Sequence, residues 1–103
     1  MNEEIRYRIL KLLEKKPDIS QRELSRELGI SLGKVNYCLR ALTEKGLVKA
    51  RSFKNNPNKK GYLYILTPQG AEEKAKVTAR FLKSKLQEYE DLKHVISQLR
   101  KEL

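Results

Sequence analysis

Two helix boundaries lie three residues apart near the start of the chain, and that spacing constrains the fold more than any other feature. Ser20-Gln21-Arg22-Glu23 sets a serine and a glutamate where each can satisfy the other's free backbone N–H at a helix start. Ile19 precedes this cap and Leu24 follows it, the positions of a hydrophobic staple. Leu24 and Leu28 share one face, and Gly29 comes next, where a left-handed helix end requires glycine. Ser31 opens another helix at once, with Ile30 and Val35 as a second staple. Val35, Cys38, Leu39 and Leu42 make its inner face, Lys45 closes its last turn and Gly46 ends it. Two short helices joined by Gly29-Ile30-Ser31 form a helix-turn-helix.

The flanks complete the architecture. Ile5, Ile9, Leu10, Leu12 and Leu13 form an apolar stripe at helical spacing, with Glu3 and Glu4 at its start and Lys15 and Lys16 at its end. Both charge placements complement the helix dipole, and Pro17 stops the helix. After Gly46 the period changes. Residues 47–53 and 62–66 favour strands, and the turn-rich stretch 54–61 between them predicts a hairpin with a basic tip, a wing. Thr67-Pro68 supplies a cap and a first-turn proline, and residues 68–103 read as one long helix. The expected fold class is mainly α with a β-hairpin: a winged helix-turn-helix in the order α-α-α-β-β-α, with a long C-terminal dimerisation helix. Residues 1–67 form the expected DNA-binding domain and 68–103 a coiled-coil-like association element.

That last helix carries a seam in alternating steps of three and four: Leu82, Lys85, Tyr89, Leu92, Ile96, Leu99 and Leu103. A period of 3.5 residues marks a coiled-coil contact. A helix of this length spans about 50 Å, too long for one small domain to cover. Leu82, Tyr89, Leu92, Ile96, Leu99 and Leu103 are therefore the expected homodimer contacts, with Lys85 the seam's one polar member.

Charge narrows the partner. The chain of 103 residues has a net charge of +10. Residues 1–67 hold 15 Lys and Arg against 7 Asp and Glu, whereas 68–103 hold 8 against 6. Residues 30–60 hold 8 basic residues and a single acidic one, Glu44. A basic excess focused on one stretch suits a polyanion that releases counterions when neutralised. No apolar run approaches the roughly 20 residues a membrane helix needs, and the acidic start Met1-Asn2-Glu3-Glu4 is unlike a secretory signal. A lone cysteine forms no internal disulfide, which points to a reducing cytoplasm. With one histidine and one cysteine, the sequence contains no catalytic constellation, metal-ligand set or phosphate-binding glycine loop, so an enzyme, a bound metal and a cofactor are not expected.

In a helix-turn-helix the second helix enters the major groove, here residues 31–45. With its apolar face inward, Gly33, Asn36, Tyr37 and Arg40 form one outward stripe at positions i, i+3, i+4 and i+7. Arginine bridges the two guanine acceptors, asparagine pairs with the adenine edge, and tyrosine meets a thymine methyl or a phosphate. Gly33 permits close backbone approach to DNA. Gln21, Arg22, Ser31 and Lys34 are the expected backbone contacts, and Arg51, Lys54, Asn55, Lys59 and Lys60 the expected wing contacts. Double-stranded DNA is thus the expected partner. The alternative is a winged-helix protein–protein interaction module, against which the basic stretch 30–60 argues. Nothing in the residues indicates a small-molecule effector.

These motifs carry a resemblance. Gly29-Ile30-Ser31, Val35, Leu39, Leu42, Glu44-Lys45-Gly46-Leu47-Val48 and Leu66-Thr67-Pro68-Gln69-Gly70 resemble the multiple-antibiotic-resistance regulator (MarR) family over residues 5–75. The run Gly29 to Leu39 and the Lys-Asn-rich wing look like the short subgroup associated with exopolysaccharide gene clusters. The resemblance implies a winged helix, a dimer, operator binding and control of polysaccharide biosynthesis genes. Two departures matter. Typical family members are longer and dimerise through helices at both ends, whereas no room for an extra N-terminal helix is expected here, so the long C-terminal helix is expected to carry association. Asn55-Asn56-Pro57-Asn58-Lys59-Lys60 also replaces the family's Asp-x-Arg wing, so no wing arginine carries over.

Overall fold

The computed structural model describes residues 1–56 and 59–103, and the side chains of 53–60 fall outside that description. The elements run α1 (Glu3–Lys15), α2 (Gln21–Leu28), α3 (Leu32–Glu44), β1 (Val48–Asn56), β2 (Lys59–Leu66) and α4 (Pro68–Lys101). This is the expected mainly helical winged helix-turn-helix with its long C-terminal helix.

The helix starts rest on side-chain caps. Asn2 accepts the Ile5 N–H at 2.8 Å, Ser31 the Lys34 N–H at 3.1 Å and Thr67 the Gly70 N–H at 3.0 Å. At α2 the box is reciprocal: Ser20 Oγ accepts the Glu23 N–H at 3.0 Å, and Glu23 accepts the Ser20 N–H at 3.5 Å. Gly29 and Gly46 close α2 and the α3 exit at φ 66° and 74°, conformations that cost a residue with a Cβ.

One core joins these elements. Ile9, Leu10 and Leu13 of α1 meet Leu24 and Leu28 of α2, Val35, Cys38, Leu39 and Leu42 of α3, and Val48 and Tyr64 of the hairpin. Cys38 is thus a small core residue, and its thiol is buried. Among the described residues no buried side-chain polar atom lacks a hydrogen-bond partner.

The hairpin pairs antiparallel from Val48↔Leu66 to Asn56↔Lys59, with a register shift between Lys54 and Asn56. The strands therefore run through much of the stretch expected as loop. Ladder hydrogen bonds are made by the backbone, so residues of turn-forming type continue a two-stranded ribbon once the register is set.

The mounting of α4 depends on a close approach. Thr67 donates its N–H to the Leu47 carbonyl at 3.1 Å and its hydroxyl to the Gly46 carbonyl at 2.6 Å. Gly70 is buried above the same turn, and a Cβ there would collide with the Leu47 carbonyl oxygen. Farther along, α4 lies on α1. Val77 is buried, Tyr7 stacks on Phe81 at 5.2 Å, and Arg80 reaches Glu3 at 3.0 Å. From Leu82 to Leu103 every residue is exposed, and the molecule measures 67 × 26 × 20 Å. Its length comes from α4 running on past the domain.

Candidate nucleic-acid interface

The outward side of α3 presents the residues read from the sequence. Gly33, Lys34, Asn36, Tyr37 and Arg40 are all exposed, Tyr37 by 67%. Leu32, in the first turn, is exposed too. The inward side, Val35, Cys38, Leu39 and Leu42, is buried, so core packing fixes the rotation of the helix and aims the stripe. Ser31 spends its hydroxyl on the Lys34 N–H.

The second helix sits beside this stripe. Gln21 Nε2 donates to the Tyr64 hydroxyl at 3.0 Å, and Asn36 Nδ2 donates to Gln21 Oε1 at 3.5 Å. This chain links the middle of α3, the start of α2 and β2. It gives Gln21 a positioning task within the domain. It also turns the Asn36 amide toward α2, with that side chain still exposed.

A groove of about 320 Å³ opens between α3 and the hairpin, lined by Gln21, Asn36, Arg40, Ala50, Tyr62 and Tyr64 among others. Tyr64 is buried and packs into the core. Tyr62 stacks on it at 6.2 Å yet stays 58% exposed, which places an aromatic ring on the groove wall. A two-stranded ribbon leaves one face uncovered, which accounts for this exposure. Arg51, next to Ala50, is exposed. Lys54, Asn55, Lys59 and Lys60, the other expected wing contacts, lie outside the described side chains.

At the α1–α4 contact cations meet acids: Arg6–Glu73 at 3.1 Å, Lys74–Glu14 at 2.7 Å, and Arg80 with both Glu3 and Glu73. Partial burial pushes the Glu73 carboxyl up, but the hydrogen bonds from Arg6 and Arg80 outweigh it and hold the group below its ordinary range. Lys16 and Glu23 pair at 2.9 Å beside the α2 cap. Their mutual hydrogen bond raises the lysine's pKa and lowers the glutamate's. Among the described residues, Arg22, Lys34, Arg40 and Arg51 take part in no ion pair, and all four are exposed.

No group of three His, Cys, Asp or Glu among the described residues is placed to hold a metal ion. No helix among them is long and apolar enough to cross a membrane.

The comparisons with known proteins agree with this geometry. Residues 2–49 match the winged helix-turn-helix DNA-binding family. No curated protein matches the chain. Among solved structures, FabT of Streptococcus pneumoniae in complex with DNA is 23% identical with a TM-score of 0.60, over 84% of this chain and 58% of that one. The zinc-responsive MarR family member ZitR of Lactococcus lactis is 26% identical with a TM-score of 0.60, over 85% of this chain and 58% of its own. A MarR-family regulator from Rhodococcus sp. RHA1 is 21% identical with a TM-score of 0.66, over 93% and 68%. The chain thus spans less than two thirds of the length of the first two. Its residues 2–49 and the hairpin that follows make a winged helix-turn-helix DNA-binding fold of the kind found in MarR-family transcriptional regulators.

Proposed function

We propose that this protein is a sequence-specific duplex DNA-binding transcriptional regulator that acts as a homodimer and represses by occluding the promoter. The observation that carries the reading is the exposed outward stripe of α3, Gly33, Asn36, Tyr37 and Arg40, aimed by a buried inner face and accompanied by the exposed cations Lys34, Arg22 and Arg51. Exposed cations that no carboxylate neutralises are suited to a polyanion. Gly33, Asn36, Tyr37 and Arg40 then read base edges from the major groove. Arg22, Lys34 and the first turn of α3 hold phosphates, and Gln21 keeps α2 in place against α3. Arg51 and the hairpin beyond it lie along the backbone or the minor groove.

Residues 1–67 provide the DNA contacts, and 68–103 associate through the exposed seam of Leu82, Tyr89, Leu92, Ile96, Leu99 and Leu103. Two recognition helices entering successive major grooves require half-sites about 34 Å apart. FabT, which shares this fold, was solved in complex with DNA, and that supports DNA as the partner. The resemblance to the exopolysaccharide-associated subgroup directs the first choice of operator to polysaccharide biosynthesis genes.

The test is fluorescence anisotropy with the duplex upstream of the protein's own gene and a scrambled duplex, each at two salt concentrations. Tight, salt-steep binding to the upstream duplex and weaker binding to the control are expected. Equal weak binding to both would overturn sequence specificity. No binding at low salt would overturn the DNA reading in favour of a protein-interaction module.

A further inference from the structure

We infer that the two α4 helices of the proposed dimer, whose existence rests on the reading above, run parallel as a two-stranded coiled coil over residues 82–103. The exposed apolar face is wider than the seam, since Leu86 and Val95 flank it. Those flanks differ in charge. With Leu82, Tyr89, Ile96 and Leu103 at the first core position of each heptad, the residues just before it are Phe81, Glu88, Val95 and Glu102. The residues just after the second core position are Leu86, Lys93 and Arg100. The charges on one flank are therefore acidic and those on the other basic, with apolar residues on both.

In a parallel pair, opposite flanks meet, each residue of the first facing one five positions farther along the second helix. Glu88 then meets Lys93 of the second copy, and Val95 lies against the stem of its Arg100. Every flank contact is apolar or oppositely charged. In an antiparallel pair, like flanks meet. The flank bearing Lys93 and Arg100 faces its own copy, the flank bearing Glu88 and Glu102 does the same, and no opposite charges face each other. In the middle of the coil the core agrees: Ile96 at a first position lies between Leu92 and Leu99 at second positions, a local pattern that favours two strands.

Lys85 is the one cation on the seam. Glu88 holds its ammonium at 3.1 Å, and that ammonium lies 5.1 Å from the Phe81 ring centre. Its charge is thereby drawn to the flank, away from its counterpart across the seam. It also sits close to where α4 leaves α1, so the coil tightens beyond it. A parallel coil places both DNA-binding units at one end and the free end away from the duplex.

Disulfide trapping in the full chain tests the orientation, with buried Cys38 replaced by alanine and that parent as the control. Under mild oxidation, Leu99→Cys should give a covalent dimer, because the two copies of residue 99 face each other across a parallel seam. In a mixture of Leu82→Cys and Leu99→Cys proteins, only like-with-like cross-links are expected. Cross-links exclusively between the two variants would overturn the parallel arrangement and establish the antiparallel one. Glu88→Lys should weaken dimerisation about fivefold and added Lys93→Glu should restore it. Failure to restore would overturn the flank pairing. A monomer by sedimentation of the unaltered chain would instead overturn the dimer itself.

Discussion

The outward stripe of α3 and the outer part of α4 are both open to solvent, and their chemistry is opposite. The α3 stripe is a glycine, an asparagine, a tyrosine and an arginine, backed by a face that is buried. On α4 beyond Phe81 nothing is buried, yet Leu82, Leu86, Leu92, Ile96 and Leu99 line one side. The first surface is stable as it stands, since its polar groups are hydrated and its helix is anchored from behind. The second exposes a run of leucines with no anchor. Exposure of a large contiguous apolar patch is costly enough that it marks a contact surface. The same degree of exposure therefore comes with a polar face in one region and an uncovered apolar face in the other.

If the two surfaces are joined by a rigid mount, disturbing the mount should damage both. Gly70→Ala drives a methyl group into the Leu47 carbonyl, and a loss of about 2–4 kcal/mol of stability is expected. Thermal unfolding would register it as a fall of well over 5 °C, roughly. An unchanged melting temperature would show that the start of α4 shifts freely and that the comparison rests on two independent parts.

A charge on the α4 seam should separate the surfaces cleanly. Ile96→Asp is expected to raise the dimer dissociation constant about a hundredfold while the domain keeps its fold. Operator affinity should fall in parallel for every sequence, because two linked half-site contacts become separate events. Sedimentation and anisotropy on one preparation would check both, and an intact dimer would place the contact elsewhere.

Arg40→Ala probes the other surface alone. It should cost about 1–3 kcal/mol in operator binding and relax discrimination at one base pair, with no change in association. Uniform weakening across all duplexes would reassign Arg40 to the phosphate backbone.

The smallest effect expected concerns pH. Arg6 and Arg80 hold the Glu73 carboxyl below its ordinary value of 4.5. The folded state thus binds this proton less readily than the unfolded chain does. Its contribution is complete above 4.5 and fades as the pH falls through the lowered folded value. Urea midpoints should show a slightly shallower acid limb for Glu73→Gln than for the parent. Identical limbs would mean that the α1–α4 ion pairs are fully screened by solvent.

Local chemistry made much of the fold legible. The capping box at Ser20 and Glu23, the cap at Ser31 and the glycines at 29 and 46 each act within a few residues, so their spacing alone marks the helix ends. The stripe Gly33, Asn36, Tyr37 and Arg40 followed from helical periodicity once the apolar face was known. Asn2 as the cap of α1 was present in the same local terms and went unread beside the more conspicuous acidic first turn. The extension of the strands to Asn56 and Lys59 was hidden, since residues of turn-forming type carry no mark of the partner strand.

What the sequence determined by itself is where helices begin and end and which side of each is apolar, because caps and periodicity are properties of near neighbours. Only the tertiary structure decided that Gln21 bridges Asn36 and Tyr64, that Gly70 must lack a side chain above Leu47, and that α4 leaves the domain after Phe81. Each of these depends on the distance between segments far apart in the chain. That distance is set by how the whole core packs, and no local pattern records it.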